Sequence, residues 1–311
     1  MPFIKETNDE YFEDIVDDFN GINRSIELIN VLEKLDLQSI GNPFLNVSPS
    51  YTTLLLSDGD AVDLAYDFYQ TQAHIFFSNF LDVYDSLPNH LQFIKPNSNT
   101  NGEMSRLKST RESYIFVPNN PNITKATILI HELQHAIDGI ENDKFVDNIM
   151  LKEATAMFME MIAADYISGR FKIPRDGAMR RAEQHSIVLT DSLYLLDKYE
   201  MFKSLDGEHI TGLEEFYEKL YKKDYDDDEI ETCLRYSTDS LVSYQLPHLL
   251  AIELYYMYKE DKEDTLEYLL GIVNYCNDDN IMSVLEGCEI KLGEHYYKYQ
   301  KALEKQLKRS N

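Results

Sequence analysis

Apolar residues recur mostly at three- and four-residue spacing along the chain, and that rhythm predicts a protein built largely of helices. Residues 8–37 place Ile22, Ile26, Ile29, Leu32 and Leu35 on one stripe, with many acidic positions left for the solvated face. Residues 38–56 are interrupted by Gly, Pro and Ser and read as loop. A second helical stretch is expected from about Asp60 to Asp85, ending before Leu87-Pro88. Two short runs then take on strand character. They are His90–Ile94, bounded by Pro96, and Ser113–Val117, bounded by Pro118. The segment between them, NSNTNGEMSRLKS, is polar and reads as a mobile loop. From Ile123 onward nearly everything is helical, with helices expected over 123–139, 146–168, 176–201, 212–222, 228–245, 248–259, 262–276 and 292–309. The fold class implied is mainly α (α+β), with a small sheet among helices. The organisation expected is a helical N-terminal segment over 1–56, a core over 57–210, and a helical C-terminal region over 211–311 that completes a cleft.

Composition narrows the function classes. The chain has 311 residues, 43% hydrophobic and 27% charged, which suits a folded core and excludes wholesale disorder. Its formal net charge of −26 opposes nucleic acid, whose phosphates would be repelled. The one basic cluster, Lys291 to Arg309, reads as the solvated face of a last helix. The acidic run Asp224–Glu229 is tested as a calcium loop and fails, since Glu229 stands where Gly is needed and Arg235 where a bidentate Glu is needed. No apolar run reaches the ~18–20 residues that cross a bilayer, so no membrane span is expected. The start, MPFIKETNDEYFED, lacks the basic and apolar regions of a secretory signal. That pattern, with three widely spaced cysteines (Cys233, Cys276, Cys288) and no CxxC, predicts a cytoplasmic protein or one exported by a leaderless route. Oligomeric state leaves no mark on the sequence.

One motif carries chemistry. Residues 131–135 read His-Glu-Leu-Gln-His, the HExxH pattern. With eight histidines in 311 residues, chance would produce it about 0.02 times per chain. It continues the apolar stretch ITKATILI, so it belongs on a buried helix, where positions i and i+4 share one face. His131 and His135 could then reach one ion, and Glu132 could lean toward an attacking water as general base. Zn2+ suits such a nitrogen and carboxylate donor set. A third ligand must come from another element. The HExxHxxGxxH extension is absent, because residue 138 is Asp and residue 141 is Glu. A turn near Gly139–Lys144 would bring the next helix back antiparallel, with Glu153 facing His135 and the small Ala154 and Ala156 permitting close approach. Glu160, two turns further along the same face, competes for that role. Asp138 could orient a ligand imidazole by accepting its other N–H, or could simply end the helix before Gly139.

HELQH-Ala-Ile-Asp followed by Glu153-Ala154-x-Ala156 and Glu160 resembles the zincin metallopeptidases, and more narrowly the gluzincins, whose third ligand is a helical Glu. Its flavour is distantly similar to the catalytic domain of anthrax lethal factor and related bacterial peptidases. The resemblance covers residues 123–166 and departs from the thermolysin group, since Lys152 precedes Glu153 and Met157 lies four after it. It implies a zincin-like fold with an active-site helix, a glutamate helix and a small sheet. It also implies zinc held by His131, His135 and Glu153, with Glu132 as base, and hydrolysis of a peptide or protein substrate.

Such hydrolysis needs an oxyanion donor from a distant segment. Tyr244 and His248 are the candidates, four residues apart around Pro247; the charged surroundings of His185 suggest exposure instead. Ser113–Val117 is expected to be an edge strand that pairs with extended substrate. The competing class is a zincin-fold metal-binding effector or interaction protein with little hydrolysis, against which the intact Glu132 speaks.

Overall fold

The computed structural model describes residues 55–95, 102–107, 109–142, 149–173 and 246–275, together with parts of 285–305. The expected helices over 8–37, 176–201, 212–222 and 228–245 lie outside these residues, as does the division of the chain at 210.

Helix α1 (Asp58–Thr71) starts at a reciprocal cap. The Ser57 hydroxyl accepts from the Asp60 amide at 3.1 Å, and the Asp60 carboxylate accepts from the Ser57 amide at 2.9 Å. The single helix expected from Asp60 to Asp85 is two. A 3-10 turn at His74–Phe76 separates α1 from α2 (Phe77–His90). Apolar spacing continues through the break, so the pattern hides it. Tertiary partners make it possible, because the carbonyls released at the end of α1 are taken up from elsewhere. Lys262 Nζ donates to the Thr71 carbonyl at 2.6 Å, and the Tyr258 hydroxyl to the Gln72 carbonyl at 3.1 Å. Helix α2 also passes through Pro88 to His90 instead of stopping before Leu87, since Leu87 and Val83 remain buried in the core.

The sheet has three strands in the order β1-β3-β2, with β1 over Leu91–Ile94, β2 over Glu103–Arg106 and β3 over Ser113–Pro118. Strand β3 is therefore central and not the edge. Leu91 of β1 pairs with Ile115 in parallel, and Met104 of β2 pairs with the same Ile115 antiparallel. Strand β2 lies inside the segment read as loop. Its polar sequence gives no strand alternation, and it is fixed by backbone pairing to β3.

Helix α3 (Thr124–Glu141) runs through the middle of the fold, buried at every residue from Lys125 to Gly139. Such a helix has no solvated face, which matches its apolar lead-in. Its buried lysine, Lys125, is satisfied by the Leu56 carbonyl at 3.2 Å and Asp58 at 2.6 Å, and this ties α3 to the start of α1. Helix α4 (Ile149–Phe171) packs against α3 on one side and α5 (Leu246–Glu260) on the other, and α6 (Lys262–Tyr275) follows. Pro247 is the second residue of α5, where its missing N–H costs nothing. Among the described residues no helix is long and apolar enough to cross a membrane.

Candidate metal centre

The HExxH residues sit on α3 and Glu153 sits near the start of α4. His131 Nε2 and His135 Nε2 are 3.1 Å apart. Glu153 lies 3.4 Å from each, through Oε2 to His131 and Oε1 to His135. These are the one group of three potential metal-binding side chains among the described residues. A zinc ion with bonds of about 2.0–2.1 Å at tetrahedral angles needs neighbouring donor atoms about 3.4 Å apart. The nitrogen pair at 3.1 Å and each nitrogen's 3.4 Å approach to a Glu153 oxygen, a different one for each, lie near that value, and the two-nitrogen, one-carboxylate set is one that zinc takes. The side chains therefore fit the metal, and the imidazoles are nearly inaccessible to water at 3% and 6% exposure.

The charges are those of a cation-binding pocket. Burial alone would lower the basicity of His131, but Glu160, Glu153 and Glu132 outweigh it and hold the imidazole up at about 10. Burial likewise works against the Glu153 carboxylate, yet His135 and His131 keep it well below the usual carboxylate range. Without metal, a proton on His131 balances the surrounding carboxylates, and a dication would replace that proton.

The two competing glutamates take different places. Glu153 faces the Nε2 atoms, whereas Glu160, almost wholly buried, puts Oε1 3.2 Å from His131 Nδ1 on the far side of the ring. A carboxylate there favours positive charge on the ring. Asp138, expected as a possible partner of a ligand imidazole, is occupied otherwise. It accepts from Gln134 Nε2 at 2.6 Å and from Thr155 Oγ1 at 2.6 Å, clamping α3 to α4 behind the histidines. Tyr69 of α1 joins this network, its hydroxyl 3.2 Å from Gln134 Oε1 and 3.1 Å from the Ile130 carbonyl. Ala154 and Ala156 are fully buried, as close helix approach requires.

Glu132 is 3% exposed, on the helix turn that carries His131. The backbone of Gly102, just before β2, lies against its carboxylate. Nothing in the sequence pattern singles out Gly102 or Thr155. Glu160 was visible only as a residue seven positions from Glu153 on one helix face. Tyr244 and His185 lie outside the described residues. His248 is described and fully buried on α5, its ring 5.9 Å from that of Tyr299, and it is not among the three converging donors.

No family model and no curated protein matches the sequence. Solved structures do resemble the fold. A protein designated oligoendopeptidase F from Bacillus anthracis strain Ames is 16% identical, with a TM-score of 0.53 over 82% of this chain and 47% of that one. A structure titled PZ peptidase A, with an inhibitor, is 13% identical, with a TM-score of 0.53 over 82% and 50%. A peptidase structure from Chlamydophila abortus is 12% identical, with a TM-score of 0.57 over 97% and 54%. None of these three is named as a lethal factor, so the narrower part of the sequence resemblance gains no support from them. The chain spans about half the length of these proteins. The likeness establishes a peptidase-like, mostly helical fold with a small three-stranded sheet.

Proposed function

We propose that the protein is a zinc-dependent metallopeptidase that hydrolyses peptide bonds. The observation carrying this reading is the convergence of His131 Nε2, His135 Nε2 and Glu153 at 3.1–3.4 Å, beside a buried Glu132. His131, His135 and Glu153 would hold the ion. Zinc bound there would polarise the scissile carbonyl and make water a nucleophile near neutral pH. Glu132 accepts a proton from the attacking water and returns it to the departing amine nitrogen. Glu160 keeps His131 in the tautomer with Nε2 available. Tyr244 is proposed to steady the developing oxyanion. His248 is proposed for the same task with less support, since its ring is fully buried beside Tyr299.

The substrate is proposed to be a peptide or protein held as an extended strand. With β3 central, β1 and β2 are the edges among the described residues, and β2, whose preceding Gly102 lies against Glu132, is the one proposed for such pairing. The region 57–210 is proposed as the catalytic core, with 211–311 completing the cleft. The packing of α5 along α4 supports that arrangement. Elemental analysis of purified protein should find about one zinc per chain, and Glu132→Gln should keep the zinc while losing peptidase activity. Zinc without any Glu132-dependent hydrolysis would instead favour a metal-binding effector.

A further inference from the structure

We infer that Gly102 is a positioning residue for the general base, an inference that rests on the peptidase reading for its catalytic part. A glycine is kept either because the backbone must take a left-handed conformation or because there is no room for a Cβ. The first reason does not apply, since the glycine with positive φ among the described residues is Gly293. The second applies fully. A Cβ built on Gly102 would lie far inside van der Waals contact of Glu132 Oε1, 2.9 Å from Glu132 Cδ and 2.6 Å from Ile128 Cγ2. Two of the three nearest atoms thus belong to the base itself.

The placement follows from the fold. Backbone pairing fixes β2 against β3 from Glu103↔Phe116 to Arg106↔Ser113, and Gly102 is the residue immediately before that register begins. Its bare Cα therefore rests on the Glu132 carboxylate directly beside the paired strand. Glu132 has two flexible torsions beyond Cβ, and a wall on one side removes the rotamers that would swing the carboxylate away. A methyl group at residue 102 has two outlets. Either β2 lifts from α3, or the carboxylate turns out of its place. The second displaces a proton acceptor that must sit within hydrogen-bond reach of the attacking water.

The test compares wild type, Gly102→Ala, Glu132→Ala and the double variant, each loaded with zinc. Bound zinc, the thermal midpoint, and kcat and KM on a quenched-fluorescent peptide mixture are read for each. Zinc content should be unchanged throughout, because Gly102 does not face the ligands. Gly102→Ala should lower kcat by roughly tenfold to a hundredfold, with KM nearly constant. It should also lower the midpoint, although removing a glycine without a clash ordinarily raises stability. In the Glu132→Ala background the same substitution should cost clearly less stability, because two of the three atoms it would strike are gone and only Ile128 Cγ2 remains. If Gly102→Ala does not fold, folding of the double variant carries the same conclusion. Wild-type kcat and midpoint in Gly102→Ala would overturn the inference. So would a stability loss that is undiminished without the Glu132 side chain, which would assign the glycine to Ile128. If zinc-loaded wild type cleaves nothing, the peptidase reading falls, while the stability comparison still decides whether Gly102 holds Glu132.

Discussion

Asp138→Asn should stabilise the metal-free protein, and increasingly so as pH rises. Asp138 is fully buried between α3 and α4. Burial raises its carboxyl; the hydrogen bonds from Thr155 and Gln134 offset part of that, and the balance is about 7 against an ordinary 3.8. The folded protein therefore binds more protons at this site than the unfolded chain between about pH 4 and pH 7. Stability from this group must fall as pH rises through that window and level off above it. The whole shift, about 3 pKa units at 1.36 kcal/mol each, corresponds to about 4 kcal/mol, of which about 2–3 kcal/mol is lost between about pH 5 and pH 8. Asparagine keeps the shape and cannot ionise. Its amide oxygen can accept from Gln134, and its NH2 can donate to Thr155 Oγ1. The Thr155 hydroxyl proton would then be directed to the Lys152 carbonyl, already 2.9 Å away. Urea unfolding of both proteins, in chelator and at several pH values, isolates the effect, because every other titrating group cancels in the difference. Asp138→Asn should gain on wild type by about 2–3 kcal/mol between about pH 5 and pH 8. A pH-independent difference would refute the reasoning, since it would mean that Asp138 is charged, or neutral, throughout.

Other substitutions probe the site and its supports separately. Glu153→Ala should strip zinc to well below one per chain while Glu132→Gln keeps it, as read by elemental analysis. Glu160→Gln preserves the volume beside His131 Nδ1 but removes the charge, and should weaken zinc binding by about tenfold to a hundredfold in a chelator competition. Because the neighbouring carboxylates hold His131 up at about 10, zinc uptake should release about one proton at neutral pH, and apparent affinity should rise about tenfold per pH unit there. Calorimetry in buffers of different ionisation enthalpy counts that proton, and its absence would mean that His131 is neutral before metal arrives. Ser57→Ala removes one half of the reciprocal cap of α1 and should cost about 1 kcal/mol in denaturant unfolding.

What the sequence disclosed about this site, and what it withheld, divides by the range of the interactions involved. His131, Glu132 and His135 lie within one helical turn, so their spacing alone places them on one side of α3. Glu153 required one further step, the return of the next helix against α3, and that step too is local. Glu160 could not be assigned from sequence. It shares a helix face with Glu153, and only the register of α4 against α3 decides which carboxylate meets Nε2 and which meets Nδ1. The same limit explains Asp138. Its partner Thr155 is carried on α4, and that pairing draws it away from the imidazoles. Strand β2 went unread for a related reason. A short polar edge strand is specified by the backbone of its neighbour and not by its own side chains. Its first consequence for the site, a glycine pressed on the Glu132 carboxylate, is invisible until β3 has fixed where β2 must lie. In this fold, helix periodicity announces the proposed ligands, while the residues that would orient them are set by packing between elements distant in sequence. It follows that a chain keeping HELQH and Glu153 but carrying a bulkier residue at position 102, or a neutral one at position 160, would look intact by motif and still be expected to misplace Glu132 or to bind metal more weakly.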